Sequence, residues 1–169
     1  MKKNSGFTAF ELAVSMAIMA VIAALVLPPY LHWLRGHRLR GAVTNLMGDL
    51  EMAKIRAIRE NNFVVVSFEN NRYTIFVDNG QPGPSATAGD FFPTGEVIVK
   101  TRTLPAGVSF DLADMAFDTP AGVNDDTTRF NGRGLPDKVD SSNKIPLMNK
   151  SGKRSITINR LGHLSASVQ

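Results

Sequence analysis

Twenty consecutive positions, Leu12 to Leu31, carry no charged side chain, and only Ser15 and Tyr30 among them bear a polar side-chain group. A helix needs roughly 20 apolar residues to cross the hydrocarbon core of a bilayer, so this segment predicts a membrane or assembly-core helix. Beyond it the pattern turns amphipathic. Leu39, Val43, Leu46, Leu50, Ala53 and Ala57 recur at spacings of 4, 3, 4, 3 and 4, one face of an α-helix. Met47 and Ile58 widen that face, and Arg40, Asn45, Asp49, Glu51, Arg56 and Arg59 fall on the opposite one. The pattern predicts one helix from Phe7 to about Glu60, roughly 80 Å long at 1.5 Å per residue. Pro28 removes a backbone donor and crowds the preceding turn, so a kink or local unwinding is expected there, extended by Pro29. Gly36, Gly41 and Gly48 each weaken the helix by about 1 kcal/mol relative to alanine. A coiled coil is the rival reading of the stripe, with about three heptads and alanine at two of the seam positions.

From Phe63 the period changes. Residues 63–68 (FVVVSF) and 73–77 (YTIFV) are runs of β-formers around a short polar turn, the pattern of a hairpin. Residues 79–95 hold three prolines and four glycines and read as a loop. Further strands are expected at 97–104, 108–112, 127–130, 155–159 and 163–168, with turns at Asn131-Gly132 and Leu161-Gly162. These strands form either one antiparallel sheet or two small ones. The predicted fold is α+β: a long N-terminal helix, apolar in its first half, packed against a C-terminal antiparallel β-sheet head. The division is 1–6 as a leader, 7–34 as the transmembrane or core helix, 35–62 as its amphipathic half and 63–169 as the head.

Composition sharpens this division. The 169 residues include no cysteine, which excludes disulfides, thiolate zinc sites and a cysteine nucleophile. The mean hydropathy of −0.05 averages an apolar anchor with a polar head and describes neither. The formal charge of +4 is equally uneven. Residues 1–68 carry 8 basic and 4 acidic side chains, 69–128 carry 3 and 9, and 129–169 carry 8 and 2.

The leader MKKNSG is basic and precedes the apolar stretch. A secretory signal instead places its apolar region before the cut, so cleavage after Gly6 would leave the helix in the mature chain. Glu11 sits inside this apolar context, where a mid-membrane carboxylate costs about 2.5–3.5 kcal/mol on insertion scales. Either it lies near the interface and stays wet, or its charge meets a cation. For the second case the natural partner is a freed α-amino group at Phe7 of a neighbouring subunit. Because breaking such a buried pair costs about 3–5 kcal/mol, it would set register between subunits.

GFTAFE followed by about 20 apolar residues resembles the class III signal of type IV pilins and type II secretion pseudopilins. The resemblance implies cleavage between Gly6 and Phe7 by a prepilin peptidase, methylation of the new Phe7 amine, an assembly role for Glu11 and a helix kink at Pro28. Ala9 and Phe10 depart from the family's usual Leu-(Ile/Leu), both remaining apolar. The head is similar to the GspH/FimT type in DLEMAKIRAIRENN, RFNGRGLP (129–136) and KRSITINRLGHL (153–164). Lys54 and His163 stand where arginine is commoner in that type. The family implies a structural subunit, not an enzyme, of a type IV pilus or a secretion pseudopilus. The partners it implies are other pilin or pseudopilin subunits, the peptidase, the inner-membrane assembly machinery and, before assembly, the lipid bilayer. It also implies a single pass through the bacterial inner membrane with the head in the periplasm.

No phosphate-binding loop or nucleophile elbow occurs, and neither a cofactor nor a metal is expected. His32 and His37 are five residues apart, off one helix face. Asp118, Asn124, Asp125 and Asp126 read as a solvated acidic loop, because the spacing of a calcium loop is missing. The basic C-terminal third raises one alternative. Arg129, Arg133, Lys144, Lys150, Lys153, Arg154 and Arg160 could form a nucleic-acid contact through phosphates, although Phe130 is the only aromatic residue after 117. The competing reading is a solvated face, or one that pairs with the acidic stretch of the next subunit.

Overall fold

The computed structural model describes residues 8–78, 96–115, 117, 126–136 and 143–168. One helix, α1, runs from Ala9 to Glu60. The helix continues unbroken through Pro28 and Pro29, so the chain does not unwind there. It ends at Asn61, in the left-handed region at φ 49°, whose N–H reaches the carbonyls of Ala57 and Ile58. Among the described residues eight strands follow: β1 (Phe63–Glu69), β2 (Arg72–Asp78), β3 (Val97–Thr103), β4 (Ser109–Phe110), β5 (Thr127–Phe130), β6 (Lys144–Asn149), β7 (Gly152–Ile158) and β8 (Leu164–Val168). They form two four-stranded antiparallel sheets, ordered β3-β2-β1-β5 and β4-β6-β7-β8. The fold is α+β. The expected loop at 79–95 and most of the acidic loop lie outside the described residues.

All six stripe residues, Leu39 to Ala57, are buried, and Ala42 joins them. Fully burying a leucine such as Leu46 or Leu50 contributes about 1.5–3 kcal/mol, so this half of α1 is the spine of the head's core. Phe68 of β1 connects the two sheets, with ring centroids 5.2 Å from Phe110 of β4, 5.9 Å from Phe117 and 6.4 Å from Tyr73. The β1–β2 turn adds a backbone link, the Asn70 carbonyl accepting from Phe110 N–H at 2.8 Å and the Asn71 carbonyl from Leu104 N–H at 2.7 Å.

Four expectations need correction. Strand β6 falls where none is expected, in a segment containing Pro146. The Pro146 carbonyl accepts from Asp111 N–H at 3.0 Å. Its backbone therefore faces the side where the two-residue β4 ends, and the missing N–H breaks no bond to β7. Second, the expected strand 108–112 shrinks to Ser109–Phe110, and Leu112–Asp114 form a 3-10 turn. Third, Ile58 is exposed and not part of the core. Fourth, Asp49 is buried, not on the solvated face.

Candidate functional site

Thr8 caps α1 in extended conformation. Its hydroxyl oxygen accepts from Glu11 N–H at 3.3 Å, while Glu11 Oε2 accepts from Thr8 N–H and the Thr8 hydroxyl, each at 2.9 Å. This is a capping box, built on the Thr-x-x-Glu spacing at 8–11. Glu11 is exposed in the single chain; Gly6 and Phe7 lie outside the described residues. The Ser15 hydroxyl donates to the Glu11 carbonyl, satisfying a polar group within the apolar stretch. Large apolar side chains from Phe10 to Trp33 are exposed all round α1, and the segment is long and apolar enough to cross a membrane. The stretch ends in an aromatic ladder, with Tyr30 and Trp33 6.1 Å apart and Trp33 edge-on to His37 at 4.9 Å. Tyrosine and tryptophan favour the level of lipid headgroups.

Two contacts dock the head onto the helix at the level of that ladder. In the β6–β7 turn the Ser151 hydroxyl donates to the His32 carbonyl at 3.2 Å, and Asn149 Nδ2 donates to the Arg35 carbonyl at 2.7 Å. Midway along the amphipathic half, Asp49 receives the Tyr73 hydroxyl on Oδ2 at 2.6 Å and Lys100 Nζ on Oδ1 at 2.7 Å, with Arg102 Nε 3.4 Å from Oδ2. Burial, then the adjacent carboxylate, push the Tyr73 hydroxyl well above its ordinary pKa, so it remains a donor. This cluster fastens α1 to β2 and β3.

A third joint lies near the helix end. Asn131 Oδ1 accepts from Arg133 and Leu135 N–H, and Asn159 Oδ1 from Leu161 and His163 N–H. The turns so shaped put Gly134 and Gly162 at φ +74° and +71°. The turns touch: a Cβ on Gly162 would lie 2.7 Å from the Gly134 carbonyl oxygen, and one on Gly134 2.6 Å from Ile58 Cδ1. Lys54 Nζ closes the joint by donating to the Gly162 carbonyl at 2.9 Å. Lys54 thus acts structurally, joining helix and β7–β8 turn; the His163 side chain is exposed.

The basic residues of the C-terminal third do not converge. Lys153 Nζ reaches Asp111 Oδ2 at 2.7 Å and Asp114 Oδ2 at 2.6 Å, and Lys144 Nζ lies 3.1 Å from Asp114 Oδ2. The acidic and basic segments therefore pair here within one chain. Hydrogen bonds from Lys153, then Lys144, hold Asp114 below the usual carboxylate range. Those to Asp111, then Asp114, raise Lys153. Arg129 stacks over the Phe63 ring at 4.5 Å. Arg133 lines a cavity of about 370 Å³ with Asn61 and Asn62, past the helix end. Lys150 lines another of about 310 Å³ with Arg35 and Arg38, roughly 39 Å back along α1 by its rise per residue. Arg154 borders a third, of about 560 Å³, beside Trp33 and Arg40. Arg160 is exposed in the β7–β8 turn. Among the described residues, no group of three or more His, Asp or Glu could hold a metal ion.

Three comparisons bear on this arrangement. The family model described as "Type II transport protein GspH" matches residues 42–162. The solved structure of the minor pseudopilin EpsH from the Type 2 Secretion System of Vibrio cholerae is similar in fold. Its TM-score is 0.53 at 12% identity, over 78% of this chain and 97% of that one. No curated protein matches the chain.

Proposed function

The chain belongs to the GspH family of type II transport proteins, a family of structural, non-enzymatic subunits, and from that premise we propose that it is a minor pseudopilin of a type II secretion pseudopilus. The single observation that carries this reading is the division of α1. A wholly exposed apolar half continues without a break into a half whose stripe forms the head's core. A monomeric soluble protein would not leave such a surface bare. The apolar half is held first by the bilayer and then, after extraction, by equivalent helices of neighbouring subunits. The family match favours the secretion pseudopilus over a type IV pilus.

In this reading a prepilin peptidase cuts between Gly6 and Phe7, the Phe7 amine is methylated, and the head lies in the periplasm while the helix spans the inner membrane. Glu11, which closes its own helix cap in the single chain, turns its carboxylate to the Phe7 amine of a neighbour as the filament grows. A bend at Pro28 lets the apolar half pack at its own angle. Glu11→Ala is expected to leave processing intact, as read by the size of the mature chain, and to reduce incorporation into sheared filaments at least tenfold. That loss corresponds to about 1.4 kcal/mol, well below the cost of an orphaned buried charge. Normal incorporation of the variant sinks the assembly role of Glu11. A nucleic-acid role would have to use basic residues spread over the length of the head, among which Arg129, Lys144 and Lys153 have partners within the chain.

A further inference from the structure

The membrane-proximal end of the head carries charge that the assembly reading does not use. Leu12–Leu31 is long enough to fill the hydrocarbon core, and Tyr30 and Trp33 mark the level of the headgroups. Immediately beyond, Arg35, Arg38 and Arg40 leave α1 with exposed side chains. The docked β6–β7 turn brings exposed Lys150 to the same level, where it lines one cavity with Arg35 and Arg38. Among the described residues, no acidic side chain lines that cavity. Further round the helix a larger cavity holds Arg40 and Arg154 beside Trp33, again without an acidic lining residue among the described residues. Lys153 also borders it but is already paired with Asp111 and Asp114.

We propose that Arg35, Arg38 and Lys150, flanked by Arg40 and Arg154, form a basic collar that binds the phosphates of anionic phospholipid headgroups while the subunit rests in the bilayer. The occupant follows from position and charge. The collar is continuous with the apolar span, so headgroups are the first phosphates it meets. Clustered arginine and lysine at such a boundary attract anionic lipid, and arginine presents a fork that matches phosphate oxygens. The hydrogen bonds from Asn149 and Ser151 to α1 carbonyls hold the Lys150 turn at that height, so the collar requires the folded head. This inference rests on the reading of Leu12–Leu31 as a membrane span.

The chain has a single tryptophan, and Trp33 lies within the same helical turn as Arg35. The full chain is reconstituted in mixed phosphatidylcholine and phosphatidylglycerol vesicles, with one lipid or the other brominated near the top of its chains, and Trp33 fluorescence is recorded. Brominated phosphatidylglycerol is expected to compete about fivefold better for the site that quenches Trp33. The preference should fall to parity in Arg35→Gln/Arg38→Gln/Lys150→Gln, survive in Arg35→Lys/Arg38→Lys/Lys150→Arg, and shrink for the unsubstituted chain at high salt. Equal quenching by the two lipids overturns the collar and leaves the span intact. A preference that persists in the glutamine variant or at high salt also overturns it. No quenching by either lipid removes the span, and the collar with it.

Discussion

Asp49 is a carboxylate on an otherwise apolar helix face, 7% exposed, tied to a tyrosine and two cations. Removing it leaves Lys100 and Arg102 without their counter-charge and the Tyr73 hydroxyl without its acceptor. Because both cations remain about a third exposed, solvent offsets part of the loss. Asp49→Ala is expected to destabilise the head by about 2–3 kcal/mol, less than the full cost of a broken buried pair. Tyr73→Phe should lose less, about 1.5 kcal/mol for one hydrogen bond to a charged acceptor. Chemical denaturation of the full chain in detergent checks both; an Asp49→Ala chain as stable as the unsubstituted one contradicts the cluster's role. The position was half legible. Ala42, Leu46, Asp49 and Ala53 are spaced 4, 3 and 4, which puts Asp49 on the core face, but charge alone assigned it to the solvated one. Its partners on β2 and β3 lie 24 or more residues further along the chain and are joined to it only by the fold.

Among the elements, α1 was legible almost to the residue because a 3.6-residue period sustained over about five turns, after twenty uncharged positions, outweighs its three glycines and two prolines. Strands β1, β2 and β5 were equally plain, being short runs of β-branched and aromatic residues. Strand β6 was not, because its proline and its end residues Lys144 and Asn149 resemble a loop, and only the pairing with β4 and β7 reveals it. The clamp between the 3-10 turn and β7 was likewise hidden, since acidic and basic segments can pair within a chain or between chains. That clamp has a pH signature. Asp114 is held below its ordinary pKa, so its contribution is present above about pH 3.9 and is lost as pH falls through the depressed value. Lys153 is raised, so its contribution is complete below about pH 10.4 and is lost as pH rises through the raised value. The clamp therefore holds across the whole neutral range. In a carbon-13 NMR titration the Asp114 carboxyl should show its midpoint below about 3.9 and move upward in Lys153→Met. A midpoint at or above 3.9 contradicts the clamp.

At the scale of the molecule, two surfaces of opposite character share one helix. The buried stripe of the second half makes a head that stands without disulfides; the exposed first half is long and apolar enough to cross a membrane. The sequence carried this division because it is one of composition and period. The three joints that fix the head on the helix, at Asn149–Ser151, at Asp49 and at Lys54–Gly134–Gly162, depend on residues brought together across the fold. Lys54 illustrates the difference: an oddity in the sequence, it becomes the donor to the Gly162 carbonyl in the structure. If α1 is the polymerising element, the chain found in filaments must be the processed one. The most direct test is mass spectrometry of the N-terminal peptide of this chain, taken from sheared filaments of cells that carry the secretion machinery. The expected peptide begins at Phe7 with a methylated amine. A chain that retains Met1 in those filaments, or that is missing from them while present in the membrane, contradicts the assignment as a pseudopilus subunit.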